Sequence, residues 1–122
     1  MIIVKATPLS ERGEMPPTEV LEAMGAFTTA LADAGVLLAA EGLHPSAEGS
    51  RLAFSDKRRH WVDGPFTETK ELIGGFWLLQ VASRQEAVAW MDRCPKPAEG
   101  DCAIELRQVL DQNKPGCQQG AR

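Results

Sequence analysis

The sequence predicts an α+β fold in which an antiparallel sheet carries two helices on one face. Short apolar segments typical of strands alternate with two segments whose apolar residues recur every three or four positions, as on one face of a helix. The resulting order is strand, helix, strand, hairpin, strand, helix, strand, which is related to the ferredoxin-like pattern. A chain of 122 residues has room for one such domain with a substantial core.

The first half of the chain is predicted to form a strand, a helix and a second strand. Residues 2–6 are apolar and β-branched, and the proline-bearing segment 8–17 after them is predicted to be a loop. A helix is predicted over 18–34, since Pro16 and Pro17 precede it and Gly35 follows it. Its buried face is expected to contain Val20, Leu21, Met24, Phe27 and Leu31. Residues 36–41 are predicted to be the second strand.

The second half is predicted to form a hairpin, a strand, a helix and a last strand. Residues 51–55 and 59–62 are expected to pair, and the strand 72–81 follows them. Ser83 and Glu86 have the spacing of a capping box, which predicts a helix running to about Arg93. The last strand is predicted over 103–110. The domain is thus expected to span 1–110, and the polar segment 111–122 is expected to be a mobile tail.

The strand 72–81 is apolar on both faces. Leu72, Phe76 and Leu78 alternate with Ile73 and Trp77, so neither face has the polar character of a strand surface that contacts water. Helices can cover one face, and we expect the other to pack against the same sheet in a second copy of the chain, giving a homodimer. The alternative is a central strand that a loop shields.

Composition excludes several classes of protein. The net charge of −4 argues against a main role in holding phosphate backbones. No apolar run is long enough to span a membrane, and the N-terminus lacks the pattern of a signal peptide, so we expect a cytoplasmic protein. Cys94, Cys102 and Cys117 have neither zinc-site nor disulfide-framework spacing and are interpreted as reduced, structurally incidental thiols.

The segment 61–77 contains the densest set of candidate functional groups. Asp63-Gly64-Pro65-Phe66 is a turn signal, and charged and hydroxyl residues follow it directly. A partly desolvated Asp63 could act as a general base or anchor a ligand, because burial raises the pKa of a carboxyl group. The alternative, which we favour, is that Asp63 caps the turn. Glu68 and Lys70 could bind a polar ligand, although structural pairing or solvent exposure explains them as well.

Other candidates lie at the edges of predicted strands. Glu41 and His44 flank a glycine at a strand end, where a carboxylate can orient an imidazole for acid or base chemistry. Lys5, Glu105 and Arg107 alternate out of apolar strands, as binding groups in a cleft or as ordinary solvent-exposed residues. The basic run 57–60 beside Trp61 is interpreted as a solvated hairpin tip rather than a nucleic-acid site. With only two histidines, we expect no metal site and no cofactor.

The chain resembles the YCII-related family, specifically its DGPF-domain branch. The resemblance rests on Asp63-Gly64-Pro65-Phe66, on Glu68, Lys70 and Glu71, and on the Gly74-Gly75-Phe76-Trp77 segment. It also includes segments 34–37 and 41–43 and the closing strand 104–107, so it covers nearly the whole chain.

The resemblance implies a dimeric α-β barrel, in which two ferredoxin-like subunits pack their sheets together around a cleft. The family has no settled activity, although a paired His and Asp near the cleft has been proposed to be catalytic in relatives. Some DGPF proteins are associated with sigma factors by fusion or neighbourhood. Of that pair, Asp63 transfers onto this chain as the first residue of the motif, whereas no motif position identifies the histidine.

Two functions follow as hypotheses. The favoured one is a dimeric module that binds a small molecule or a protein partner such as a sigma factor, without contacting nucleic acid or membrane directly. The other is a cofactor-independent enzyme acting on a polar metabolite, with Asp63 and His44 as acid and base. The residues expected to line the cleft in either case are Lys5, Glu41, Gly64, Pro65, Phe66, Glu68, Lys70 and Arg107.

Overall fold

Six strands and three helices follow one another in residues 1–110, the part of the chain that this computed structural model describes. The strands are β1 (Ile2–Lys5), β2 (Leu37–Gly42), β3 (Ser50–Ser55), β4 (Arg58–Asp63), β5 (Ile73–Leu79) and β6 (Ile104–Leu106). The helices are α1 (Pro8–Glu11), α2 (Thr18–Asp33) and α3 (Arg84–Met91), and 3-10 turns lie at Ser46–Glu48 and Thr69–Glu71. The predicted tail, residues 111–122 with Cys117, lies outside the described residues.

Four of the strands form one antiparallel sheet in the order β2-β5-β1-β6, and β3 pairs with β4 in a separate two-stranded sheet. In the centre of the larger sheet, Ile2 of β1 lies opposite Trp77 on one side and Leu106 on the other. Helices α2 and α3 connect strands that are not neighbours, which is the ferredoxin-like arrangement. The predicted fold class is therefore confirmed, with the β3–β4 hairpin inserted between β2 and β5.

One face of the larger sheet packs against the two long helices. Ile2 and Leu31 are completely buried there, and Phe27 meets Trp77 edge to face with ring centroids 5.1 Å apart. The indole Nε1 of Trp77 donates to the hydroxyl of Thr28 over 2.9 Å, so the polar atom of this large side chain is satisfied. Met24 from α2 and Trp90 from α3 pack against the same cluster, which fixes both helices on this face.

The opposite face of the sheet is also apolar. Ile3 lies opposite Phe76, and Ala39 lies opposite Leu78, so these side chains share the face turned away from the helix-covered core. Ile3 is buried, and the other three are half-buried within a single chain. The strand that the sequence marks as apolar on both sides therefore has one face under helices and one apolar face without them.

Three elements differ in detail from the sequence prediction. The segment 8–17, predicted as a loop, begins with α1, because Thr7 and Ser10 cap it reciprocally over 3.1 and 2.9 Å. The last strand, predicted over 103–110, is shorter and spans Ile104–Leu106, with backbone hydrogen bonds between Lys5 and Ala103 and between Arg107 and Met1 on either side of it. Ser83 caps α3 as predicted, since its hydroxyl accepts a hydrogen bond from the amide of Glu86. The Glu86 carboxylate, however, accepts from the amide of Ala82 and not from that of Ser83, as a capping box would require. Of the described helices, none is both long and apolar enough to cross a membrane.

Candidate functional site

The Asp-Gly-Pro-Phe turn is held against the chain that follows β2. The amide of Gly64 donates to the carbonyl of Gly49 over 3.0 Å, and the amide of Phe66 donates to the hydroxyl of Ser46 over 3.0 Å. A side-chain carbon at Gly64 would lie 1.7 Å from the carbonyl oxygen of Ser46. Glycine is therefore required at this position by close backbone contact. The Gly64–Pro65 peptide bond is cis.

Ser46 is itself bonded to helix α1. Its amide donates to the Glu11 carboxylate over 2.9 Å, and its hydroxyl donates to the other oxygen of the same carboxylate. The Phe66 ring lies under the guanidinium of Arg51, 3.7 Å from its centroid, which fixes the end of the turn. A continuous set of polar contacts thus joins α1 to the turn through Ser46.

Asp63 lies at the end of β4 and is exposed. Its carboxylate accepts a hydrogen bond from the hydroxyl of Ser50 on the paired strand over 2.8 Å. This contact ties the two ends of the hairpin together, rather than capping the turn through a backbone amide as the favoured sequence interpretation supposed.

His44 has a different carboxylate partner. Its Nδ1 lies 3.5 Å from Glu48, with side-chain exposures of 85% for His44 and 62% for Glu48, so solvent screens the pair. Within residues 1–110 no hydrogen bond joins His44 to Asp63. The two candidates for an acid and base pair therefore have separate contacts.

The remaining motif residues are on the surface. Glu68 precedes the 3-10 turn Thr69–Glu71, Lys70 lies within that turn, and both are exposed. Among residues 1–110 neither makes an ion pair. Glu41 is an exposed residue of β2, opposite Phe76 on the helix-free face of the sheet.

Lys5, Glu105 and Arg107 form a linked group. Glu105 lies 3.2 Å from the Lys5 ammonium and 3.0 Å from the Arg107 guanidinium. Hydrogen bonds from Arg107 and Lys5, with the charge of Lys5, hold the pKa of the Glu105 carboxyl below its usual value. These residues neutralise one another in part, and of the three only Lys5 is among the residues that line the cavity described next.

A cavity of about 510 Å³ lies between α1, the end of β1 and the elbow after β2. We call it the elbow cavity; its polar lining residues are Lys5, Thr7, Ser10, Glu14, His44 and Glu48. It continues into a groove of about 310 Å³ that reaches under α2, since Val4, Met24, Gly42 and Gly74 line both.

Glycines keep this space open. A carbon added at Gly42 would meet no atom within 4 Å and would extend into the empty space. At its partner Gly75 an added carbon would lie 2.8 Å from the carbonyl oxygen of Glu41. The two strands thus approach closely at a point where neither carries a side chain, and the space between sheet and helix stays unfilled.

The structure brings together only part of the predicted set of site residues. Lys5 and His44 line the elbow cavity, and Glu41 lines the adjoining groove. Arg107 lies beside a different cavity at the other end of the sheet. The motif residues Asp63, Gly64, Pro65, Phe66, Glu68 and Lys70 line neither the elbow cavity nor its groove.

Sequence reasoning missed three residues that shape this region. Glu11 and Ser46 anchor the turn, and Gly42 opens the cavity. The pattern Thr7-Pro8-x-Ser10 was a usable signal for α1, because threonine at the cap and proline at the first position favour a helix start. Nothing local in the sequence indicated that Glu11 would reach Ser46.

The Cys94 thiol is not a reactive thiolate. Burial, followed by the charge of Cys102, raises the pKa of the Cys94 thiol to about 11, so this sulfur stays protonated at neutral pH. Among residues 1–110 no group of three or more histidine, cysteine or carboxylate side chains is arranged to hold a metal ion.

Comparison with known proteins gives one result at the level of the family. The family model described as the YCII-related domain matches residues 1–113 of the chain. No curated protein matches the chain.

Proposed function

The chain belongs to the YCII-related domain family, and from this premise we propose that it is a small dimeric module that binds a polar small molecule in the elbow cavity. We assign it to the DGPF-domain branch and to the cytoplasm. Ligand binding is proposed to regulate a protein partner, for which a sigma factor is the candidate. The single observation that carries the ligand-binding proposal is the cavity that Gly42 leaves open.

The lining of the elbow cavity favours a polar ligand. His44 and Glu48 are exposed beside the cavity and are free to rearrange around a ligand. Lys5, Thr7 and Ser10 line it as well, although the Lys5 ammonium group lies 3.2 Å from Glu105 and both hydroxyls take part in the cap of α1. The apolar residues Met24 and Leu9 form much of the remaining wall. An apolar wall with a few polar groups is typical of small-molecule sites.

Regulation of a protein partner is supported by the β3–β4 hairpin. Phe54 and Trp61 are 69% and 68% exposed, which is unusual for large aromatic side chains. An isolated two-stranded hairpin is only marginally stable in water, so a surface that covers these rings would stabilise it. Exposed aromatic and arginine side chains are also the types that concentrate binding energy in interfaces.

Binding is favoured over catalysis because the proposed acid and base do not meet. Asp63 is bonded to Ser50 and does not line the elbow cavity, whereas His44 lines that cavity and is paired with Glu48, so the two groups do not face a common space among the cavities described. The enzyme hypothesis remains an outcome of the experiment below.

The experiment is a thermal-shift screen of polar metabolites on the full chain, repeated on Gly42→Leu. A ligand at about one hundred times its Kd should stabilise the fold by about 2.7 kcal/mol, which gives a shift of several degrees. The leucine should fill the cavity and abolish the shift. Gly25→Leu is the matched control, because Gly25 lies on exposed α2 surface and an added carbon there also meets no atom within 4 Å.

If a compound shifts the Tm of Gly42→Leu and Gly25→Leu equally, the elbow cavity is not its binding site. Each hit should then be incubated with the wild-type chain and with Asp63→Ala and followed by mass spectrometry. If the wild-type chain converts the compound and Asp63→Ala does not, the enzyme hypothesis replaces the binding hypothesis. A compound that binds and is recovered chemically unchanged supports binding alone.

A further inference from the structure

A second cavity, of about 270 Å³, lies at the opposite end of the sheet from the elbow cavity. It is bounded by the starts of β1 and α3 and by the ends of β5 and β6. Its wall is mainly apolar and includes Leu38, Leu78, Val81, Leu106 and Val109. At about 30 Å³ of liquid volume per water molecule, it has room for a small organic molecule rather than a single water. We call it the arginine cavity, after Arg84 and Arg107.

The charged side chains that line the arginine cavity are all positive. Arg84 and Arg107 are both cationic, and no carboxylate stands among the described residues that line the space. Arg107 lies 3.0 Å from Glu105, which it shares with Lys5, so its charge is compensated only in part. Arg84 is the first residue of α3 and makes no ion pair within residues 1–110. The α-ammonium group of Met1, which donates to the carbonyl of Arg107, adds a further positive charge at this end of the sheet. The cavity therefore has an excess of positive charge beside an apolar wall.

Part of the apolar wall is exposed to water. Leu38 is 59% exposed and Val109 is 47% exposed, although both border the cavity. Covering such side chains is favourable in proportion to the apolar area removed from water. A ligand that covers them needs a hydrocarbon or aromatic body, and the adjacent guanidinium favours an anionic group at one end.

We propose that the arginine cavity is a binding site for monocarboxylates with a short hydrocarbon or aromatic body. The carboxylate lies against the Arg84 guanidinium, whose planar donors match two carboxylate oxygens. The apolar body lies along Leu38, Val81 and Val109. The site is distinct from the elbow cavity and does not depend on the function proposed for it.

The test is isothermal titration calorimetry on the full chain with three ligands of equal length and different charge, namely octanoate, octanamide and octylammonium. Octanoate should bind about tenfold or more tighter than either of the others, because only it forms a charge-assisted bond with Arg84. Affinity should also rise about fourfold for each methylene between butanoate and octanoate, as expected for burial of the chain in an apolar space.

Arg84→Gln should weaken octanoate about tenfold and leave octanamide unchanged within about twofold. Arg58→Gln is the matched control, since it removes the same charge from the exposed hairpin tip, and it should bind octanoate as the wild type does. Gly42→Leu should also leave octanoate binding unchanged, which separates this site from the elbow cavity.

Equal affinity for octanoate and octanamide, or octanoate binding that Arg84→Gln retains, would overturn the proposal. Failure of octanoate to bind at millimolar concentration would overturn it as well. The comparison of the three ligands on the wild-type chain is informative even if Arg84→Gln does not fold, because it needs no variant.

Discussion

At the scale of single residues, Gly64 shows that the Asp-Gly-Pro-Phe motif has a packing role. The backbone of Gly64 contacts the carbonyl of Ser46 so closely that a side-chain carbon would lie 1.7 Å from that oxygen. The neighbouring amide of Phe66 is bonded to the Ser46 hydroxyl, so the contact cannot open without loss of a hydrogen bond. The motif is thus explained in part by the requirement that this turn pack on Ser46.

Gly64→Ala should therefore destabilise the domain, because the backbone of one of the two segments must move. We expect a loss of about 2 kcal/mol, as for other overpacked sites, and a fall in Tm of about 8 °C. Thermal unfolding followed by circular dichroism measures both. Gly49→Ala is the matched control, since an added carbon there lies an ordinary 3.5 Å from the same Ser46 oxygen. Equal stability of the two variants would contradict this account of the motif.

The sequence identified the motif but not the contacts of its residues. Asp63 was correctly placed at the boundary of the turn. Its hydrogen-bond partner Ser50 lies opposite it only because of the register in which β3 pairs with β4. The partner of Phe66 is Ser46, which approaches only through the fold of the elbow. Local propensity determines turns and caps, whereas contacts between distant segments depend on packing that no single stretch of sequence encodes.

At the scale of elements, α1 links the N-terminal part of the chain to the motif. The carboxylate of Glu11, its last residue, accepts hydrogen bonds from both the amide and the hydroxyl of Ser46. Both groups are half-buried, so removing the carboxylate leaves two donors without their partner. Leaving such half-buried donors without a partner costs more free energy of unfolding than an exposed ion pair contributes.

Glu11→Ala should lower the free energy of unfolding by about 1.5 kcal/mol and should speed amide hydrogen exchange in residues 44–50 and 64–68. Glu14→Ala is the matched control, because Glu14 pairs with Arg12 on the exposed surface and its loss should cost less than about 1 kcal/mol. Chemical denaturation and exchange measured by mass spectrometry report the two effects. Unchanged exchange at 64–68 in Glu11→Ala would show that α1 does not support the turn.

The elements themselves were predicted well where periodicity was strong. Helix α2 lies close to its predicted position because its apolar residues recur with the helical period, and strand β5 lies close to its own because its apolar run is continuous. Strand β6 is shorter than predicted, although backbone hydrogen bonds at Ala103 and Arg107 continue on either side of it. The one-turn helix α1 was missed since four residues are too few to show periodicity.

At the scale of the whole molecule, the order of elements was sufficient to predict the ferredoxin-like arrangement. The elbow cavity could not be predicted in the same way, because it results from the absence of side chains at Gly42 and from the position of α1. A glycine in a strand indicates weak pairing or close approach, and only the packed fold distinguishes a filled space from an empty one.

The helix-free face of the sheet carries the prediction of a homodimer. Ile3, Ala39, Phe76 and Leu78 share that face, and packing it against a second copy would remove it from water. Sedimentation velocity at micromolar concentration should give twice the 13.2 kDa mass of the chain. Ala39→Glu should shift the chain to a monomer, because two copies would bury unpaired charge at the interface. Ala23→Glu, on exposed α2 surface, should remain dimeric, and a wild-type monomer would rule out sheet-to-sheet packing.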